Sequence, residues 1–480
     1  MVNDQGRKFH TNADLFRLGG IIPPFDDPIP YCPPKMIRKL IGKVLRRPGK
    51  KILHAKHYGI RRDHIHSAAL KVCDRLQDAG FEAYVVGGAV RDLLLGKSPK
   101  DFDVATSATP EQVRHVFHRS RIIGKRFRIV HVPFYDKHGE EVIEVTTFRG
   151  SSDAPTDDTG RIIRDNVYGT LEEDALRRDF TINALYYDPT SEEILDFHHG
   201  IEDIEAKRLT MIGDPDLRYR EDPVRMLRAI RLAAKLGLGI APATQKPIAS
   251  LAKLLGNIPS ARLFDEMMKL LLSGRAWDCL MSLRAEGLHR ELFPVLDIVL
   301  ARPQAKNFLK LALENTDQRL AEDKPVSAGF LFAALLWHEV EADWLARQAT
   351  GQNPIPALVD AMNGIENTVE KRLAIPNRYG AAMKEIWLLQ PRFEQRSGNR
   401  PFRLVEQQRF RAAYDFLVLR AECGLVDKEL AQWWHEFQYG DEQSRSALIA
   451  RATPKQAATD PAKRKRRRKP SAQKSAASGE

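Results

Sequence analysis

Cysteine is scarce in this chain, with only Cys32, Cys73, Cys279 and Cys423 among 480 residues. None falls in a C-x-x-C spacing, so neither a zinc site nor a disulfide framework is expected, and a reducing cytoplasm fits. No run of 18 apolar residues occurs, so no membrane-spanning helix is expected. The first ten residues lack an apolar segment, so no secretory signal is expected either. Acidic residues fall short of basic ones, 63 against 75, and the net charge of +12 suits a polyanionic partner. At this length a single core is unfavourable, and several domains are expected.

The charge surplus sits largely at the ends. Lys463 to Lys469 is a run of seven basic residues, which reads as a disordered nucleic-acid tail. Lys35 to Lys51 carries eight basic residues and no acid, with Met36, Ile37, Leu40, Ile41, Val44 and Leu45 at helical spacing. It is either a solvated tether or a short basic helix meeting RNA or a membrane surface. The residues before it are proline-rich and irregular.

The chemistry centres on Tyr84 to Val104. Tyr84-Val85-Val86 reads as a buried strand, broken by Gly87 and Gly88. Val90 to Leu95 then reads as a helix that stops at Gly96. Strand, glycine pair and helix form a phosphate-binding arrangement, because the backbone can approach a ligand and the helix start offers free N–H groups. Arg91 adds a donor fork. Asp101 and Asp103 lie two apart in a segment that reads as a second strand, so they share one face while Phe102 and Val104 turn inward. Paired carboxylates repel unless a cation lies between them, and hard oxygens suit Mg²⁺.

Further along, Thr109-Pro110-Glu111-Gln112 is a capped helix start. Ile122 to Val132 reads as one strand containing a basic turn, and Val142 to Phe148 as another. Glu144 is either a third carboxylate or, as the commoner case, an edge-strand glutamate. Residues 151 to 158 read as a loop. Arg177, Arg178, Asp179 and Asn183 put donors and acceptors in a short space, the mixture a triphosphate and ribose need. Leu185 to Phe197 reads as a hairpin. Asp222, Arg225 and Arg228 fall at i, i+3 and i+6 in a helix opened near Pro223, which places them on one face. Beyond about Leu251 the apolar spacing is helical throughout, and Arg403, Arg409 and Arg411 are candidates to face RNA.

The ordered motifs GG-x-x-R-D, D-x-D, RRD-x-T-x-N-A and ED-x-x-R resemble those of the class II tRNA-nucleotidyltransferase and bacterial poly(A) polymerase family. The segments IIGKRFRIVHV and Asp165 to Asp174 resemble its poly(A) polymerase branch, with a CCA-adding tRNA enzyme as the alternative. The resemblance implies an α+β fold, with a mixed-sheet nucleotidyltransferase head followed by an all-helical neck, body and tail. The expected divisions are an extension over 1–60, a head over 61–215, a neck over 216–296, a body over 297–451 and a basic tail over 452–480. It implies template-independent addition of AMP from ATP to single-stranded RNA 3′ ends, with pyrophosphate released. Asp101 and Asp103 would hold two Mg²⁺, and Asp179 would be a third catalytic acid. Gly87, Gly88, Arg91, Arg177, Arg178 and Asn183 would hold the triphosphate and ribose, and Asp222, Arg225 and Arg228 the base. Partner proteins of RNA decay are an open expectation.

Overall fold

Two β-branched residues in a four-residue run between breaker glycines give the central strand β2 (Ala83–Val86), whose inward side chains are fully buried. The structure, a computed structural model, describes residues 50–124, 128–136, 139–150, 167–370 and 373–452. Residues 1–49, including most of the basic segment, the loop 151–158, residues 125–127 of the IIGKRFRIVHV segment, residues 165–166 and the tail beyond Ala452 lie outside the described residues.

β2 lies inside an eight-stranded sheet of order β1-β8-β7-β2-β3-β6-β5-β4. Its members are β1 (Lys51–His54), β3 (Asp103–Thr106), β4 (Arg121–Ile123), β5 (Ile129–Asp136), β6 (Gly139–Thr147), β7 (Leu185–Asp188) and β8 (Glu193–Asp196). Only β3 and β6 pair in parallel, joined through the helix Pro110–Val116. That helix starts with the expected capping box on Thr109 and Gln112. The sheet is therefore mixed, as the α+β expectation required.

Three local readings need correction. Ile122 to Val132 spans two antiparallel strands, β4 and β5, rather than one, with Gly124 at φ 83° just after β4 and residues 125–127 between them outside the described residues. Asp101 lies outside β3, which starts at Asp103, although Asp101 and Asp103 are exposed and Phe102 is buried as alternation predicts. The helix expected from Glu221 is two helices, Pro215–Glu221 and Val224–Leu236. Asp222 sits between them in extended backbone, because the following proline disfavours helical geometry in the residue before it. A small parallel pair, β9 (Arg208–Leu209) and β10 (Gly239–Ile240), also ties the start of the helical region back to the head.

From Ser260 onward the described chain is helical, including the long helices Pro303–Ala321 and Ala328–Ala349. No described helix is long and apolar enough to cross a membrane. One hydrophobic cluster runs from Ala55 under the sheet to Leu419 in the helices, and a second, built on Phe393, Trp434 and Phe437, closes the C-terminal helices. Buried indoles are satisfied where they meet backbone: Trp387 donates to the Ala333 carbonyl at 3.1 Å and Trp434 to that of Phe393 at 2.9 Å.

One buried polar group makes stability pH-dependent. His338 packs edge-on against Phe308 at 5.3 Å, and its Nε2 has no partner. Burial, with Arg302 and Arg420 nearby, pushes its pKa from 6.5 down to about 4. The folded state therefore favours neutral histidine, so this contribution is complete above pH 6.5 and is lost as pH falls toward 4. The loss is on the order of 3 kcal/mol. Urea unfolding measured between pH 7 and about 4 should show a steeper acid loss in wild type than in His338→Gln. Parallel curves would remove His338 as the cause, and the difference cancels carboxylates that titrate in the same range.

Candidate active site

Gly87 begins the site with φ 75° and ψ −124°, a conformation that a residue with a side chain rarely adopts. It turns the chain from β2 into the helix Gly88–Leu94, and its N–H donates to the Leu185 carbonyl at 3.2 Å. A Cβ at Gly87 would lie 3.5 Å from Arg178 Nη1, and one at Gly88 would lie 3.5 Å from Arg91 Nη2. Both glycines therefore sit against guanidinium groups.

Asp103 is the register partner of Val86 on one side and of Glu144 on the other. β6 is an interior strand, so the edge reading of Glu144 is corrected: it flanks Asp103 and pairs with His131 at 3.4 Å. Surrounding protein, then the charges of Glu144 and Asp101 against that of Arg178, push the Asp103 carboxyl up to about 6. The side chain still reaches solvent. Crowded carboxylates of this kind fit a divalent cation, which would relieve the repulsion. Among the described residues no three His, Cys, Asp or Glu side chains form a ready metal cage.

The arginines are distributed differently from the sequence expectation. Arg91 is buried and its three nitrogens are engaged, two with Asp92 at 2.8 and 2.7 Å and one with Asn183 Oδ1 at 2.6 Å. Arg177 donates to the Gly150 carbonyl at 2.5 Å, away from the glycine turn. Arg178 is the one that faces Gly87. Asp174 and Tyr186 hold it through bonds of 2.9 and 2.8 Å, and against the cost of burial they keep its charge strongly fixed. Arg218, which the sequence reading passed over, caps the carbonyls of Arg177 and Arg178 at 2.6 and 2.7 Å.

Asp179 is not grouped with Asp101 and Asp103. Its Oδ1 accepts from the Phe180 N–H at 2.8 Å and Asn183 Nδ2 at 3.1 Å, and its Oδ2 accepts from Arg228 at 2.7 and 2.5 Å. A carboxylate offers roughly four acceptor directions, and these four donors fill them. Although burial opposes its charge, Arg228 and Asn183 hold its pKa down at about 2. This aspartate ties the segment after Leu171–Arg177 to the helix Val224–Leu236.

Asp222, Arg225 and Arg228 do not share one set of partners. Asp222 accepts from Arg262 at 2.8 Å, Arg225 donates to Glu221 and the Arg218 carbonyl at 2.8 Å, and Arg228 turns to Asp179. Arg231, one turn beyond Arg228, was missed; its Nε is buried without a partner. Burial, and then Arg228, lower its pKa, and burial with Arg225 lowers that of Arg218 to about 10. The side of Val224–Leu236 that faces Arg91 thus holds more positive charge than its acids neutralise. Such a surplus suits a polyphosphate.

Known proteins match this arrangement over nearly all of its length. The family model for the poly(A) polymerase head domain matches residues 83–210, that for the "Probable RNA and SrmB- binding site of polymerase A" matches 237–300, and that for the polymerase A arginine-rich C-terminus matches 350–471. Poly(A) polymerase I of Haemophilus influenzae is 44% identical over 84% of this chain and 91% of its own. Poly(A) polymerase I of Salmonella typhi is 42% identical over 89% and 93%. The chain belongs to the bacterial poly(A) polymerase I family. It is a nucleotidyltransferase with the head fold of CCA-adding enzymes. The Bacillus stearothermophilus CCA-adding enzyme in complex with CTP superposes at TM-score 0.51 with 29% identity, covering 79% of this chain and 81% of that one. By contrast, a CCA-adding enzyme of Streptococcus pneumoniae matches only 43% of this poly(A) polymerase family member and 50% of its own length.

The Asp179–Arg228 pair has a measurable consequence. Asp179→Ala leaves Arg228 half-buried beside no counter-charge and should destabilise the fold by about 3 kcal/mol, the low end for a buried pair because Arg228 keeps some solvent. Asp179→Leu combined with Arg228→Met should recover most of that loss in thermal unfolding, yet leave nucleotide incorporation impaired. If the single substitution is thermally silent, the pair does not exist.

Proposed function

We propose that this site adds AMP units from ATP, without a template, to the free 3′-hydroxyl of single-stranded RNA, releasing pyrophosphate. The observation that carries the reading is the placement of Asp103 and Glu144 in register beside a Gly87-Gly88 turn faced by Arg178. Carboxylates for a cation thus adjoin donors for a triphosphate. Asp101 and Asp103 are the residues that would hold Mg²⁺, which when bound lowers the hydroxyl's pKa and neutralises charge developing on the phosphates.

The chain's own part is positioning. The Gly88 backbone N–H, at the start of the helix Gly88–Leu94, receives the triphosphate. Arg178 is preset by Asp174 and Tyr186, so its fork costs no reorganisation when the phosphates arrive. Arg91 contributes charge from beside Gly88 and orients Asn183 toward the ribose. Arg231 and Arg228 line the far side, and Asp222 with Arg225 presents the edge that selects adenine. Asp179 acts as a positioning residue through Arg228 and Asn183. Attack is in line at the α-phosphorus: the 3′-oxygen bonds to it, the α–β bridging oxygen departs with pyrophosphate, and the hydroxyl proton leaves to solvent.

The helices after Ser260 form the RNA-binding part, and a cytoplasmic site of action is supported by the bacterial relatives that act in RNA processing. Division into head, neck, body and tail near residues 61, 216, 297 and 452 remains our organisation of the chain. CCA addition is the second reading, and its support is confined to the shared head.

Incorporation assays separate the two. A linear RNA with ATP and Mg²⁺ should acquire long tails, with little incorporation from CTP alone. A tRNA lacking its terminal CCA should not be completed in order. Stoichiometric CCA addition to that tRNA, with no tailing of the linear RNA, overturns the reading. Asp101→Asn and Asp103→Asn should each fall below about a tenth of the wild-type rate, more than roughly 1.4 kcal/mol of barrier, with the fold unchanged by circular dichroism. A variant that stays above that level removes its residue from the site.

A further inference from the structure

Away from the carboxylates, a cavity of about 590 Å³ opens between the helices Pro303–Ala321 and Phe410–Glu422 and the turn that leads into Ala328–Ala349. Its size lies within the range of small-molecule sites. Two features set it apart from an ordinary surface furrow.

The first is its chemistry. Phe330 and Val418 contribute apolar lining, and Asn315 and Gln408 contribute side-chain amides. Neither amide makes a hydrogen bond with a described residue, so each offers a donor and an acceptor side by side. Adenine presents the complementary pair, an N6 donor beside the N7 acceptor, and Asn and Gln are the side chains that meet it with two bonds. Arg319 also lines the cavity. Its guanidinium bonds to the Pro325 carbonyl, at 3.2 and 2.9 Å, and its charge also acts on the nearby Glu322 carboxylate.

The second feature is position. Lys100, the residue before Asp101, reaches Asp323 at 2.9 Å. Asp323 stands between Glu322 and Lys324, both of which line the cavity. Both ion-pair partners are more than three-quarters exposed, so the contact adds little stability. It does place the cavity mouth next to the loop that carries the metal-binding pair.

We propose that this cavity is a product-reading site: it holds an adenylate of the tail already made, with the base on Phe330, Asn315 and Gln408 on its edge and Arg319 near its phosphate. The inference rests on the product being poly(A). It gives the enzyme a way to hold an RNA more firmly once several adenylates have been added, so elongation is favoured over first addition.

Binding without turnover tests it. The full chain, free of ATP and Mg²⁺, is titrated with fluorescent oligo(A), oligo(C) and oligo(U), as wild type and as Asn315→Ala combined with Gln408→Ala. Wild type should prefer oligo(A). The double variant should lose about tenfold on oligo(A), the worth of one two-bond base contact, and nothing on the other two. Equal binding of all three by wild type, or an equal loss on all three in the variant, overturns the site. The same proteins are then assayed for tailing. The variant should add the first AMP to a primer lacking adenines at the wild-type rate but extend an adenylate-ended primer more slowly. Equal slowing on both primers also counts against the site. A wild-type chain that adds no AMP to any primer defeats the polyadenylation reading itself, while the oligo(A) preference is judged separately by the titration.

Discussion

The ion pair between Asp179 and Arg228 is the interaction on which the rest of the site depends. It joins the motif after the helix Leu171–Arg177 to the first long neck helix, and it is reinforced by Asn183 on one side and by Arg218 capping the preceding carbonyls on the other. Once Asp179 holds Arg228 in place, the helix Val224–Leu236 can lie only one way against the glycine turn. Arg231 and Lys235 then face the same cleft as Arg91. Replacing either partner alone would leave a buried charge, which is why such pairs fix orientation even where they contribute little net stability.

Around this pair the chain assembles two opposed regions of like charge. Asp103 lies among Asp101 and Glu144 on one side, and burial first, then the charges of Glu144 and Asp101, make it resist ionisation. On the other side, burial and neighbouring arginines, Arg225 for Arg218 and Arg228 for Arg231, make both bind their protons less tightly than ordinary guanidinium groups. Each region is unfavourable by itself and each is relieved by a charged ligand of opposite sign. A divalent cation with a nucleoside triphosphate supplies both at once, so the folded protein holds in tension the charge arrangement that its substrates complete. Electrostatic preorganisation of this kind avoids reorganisation at the moment of reaction.

The helical body adds what the head lacks. Members of the wider nucleotidyltransferase group share the head, and the match to a CCA-adding enzyme of Streptococcus pneumoniae stops at about two-fifths of this chain. The poly(A) polymerase I relatives match through the helices as well. The family model for the RNA- and SrmB-binding site of polymerase A also matches within the helices, at residues 237–300. Lys100, the residue before Asp101, contacts Asp323 in the turn between the helices Pro303–Ala321 and Ala328–Ala349.

Several elements were legible from the sequence because their causes are local. The alternation of Asp101, Phe102 and Asp103, the glycine pair after an apolar strand, the Thr109 capping box and the helical spacing beyond Ser260 each depend on neighbours a few residues away. Turn chemistry, capping and periodicity act at that range, so the family motifs and the α+β class could be read directly. The partners of the charged residues could not. Asp179 meets Arg228 across 49 residues and Arg91 meets Asn183 across 92, and nothing in the spacing says that these donors are spent inside the chain. Glu144 became a neighbour of Asp103 only through the parallel register of β3 and β6, which a crossover helix sets. Asp222 left the helix because Pro223 interrupts it, and then found Arg262 from a different helix. The sequence determined which groups carry the chemistry; the tertiary structure decided which of them face the substrate and which hold the others still, because pairing between distant charges depends on how helices and strands pack.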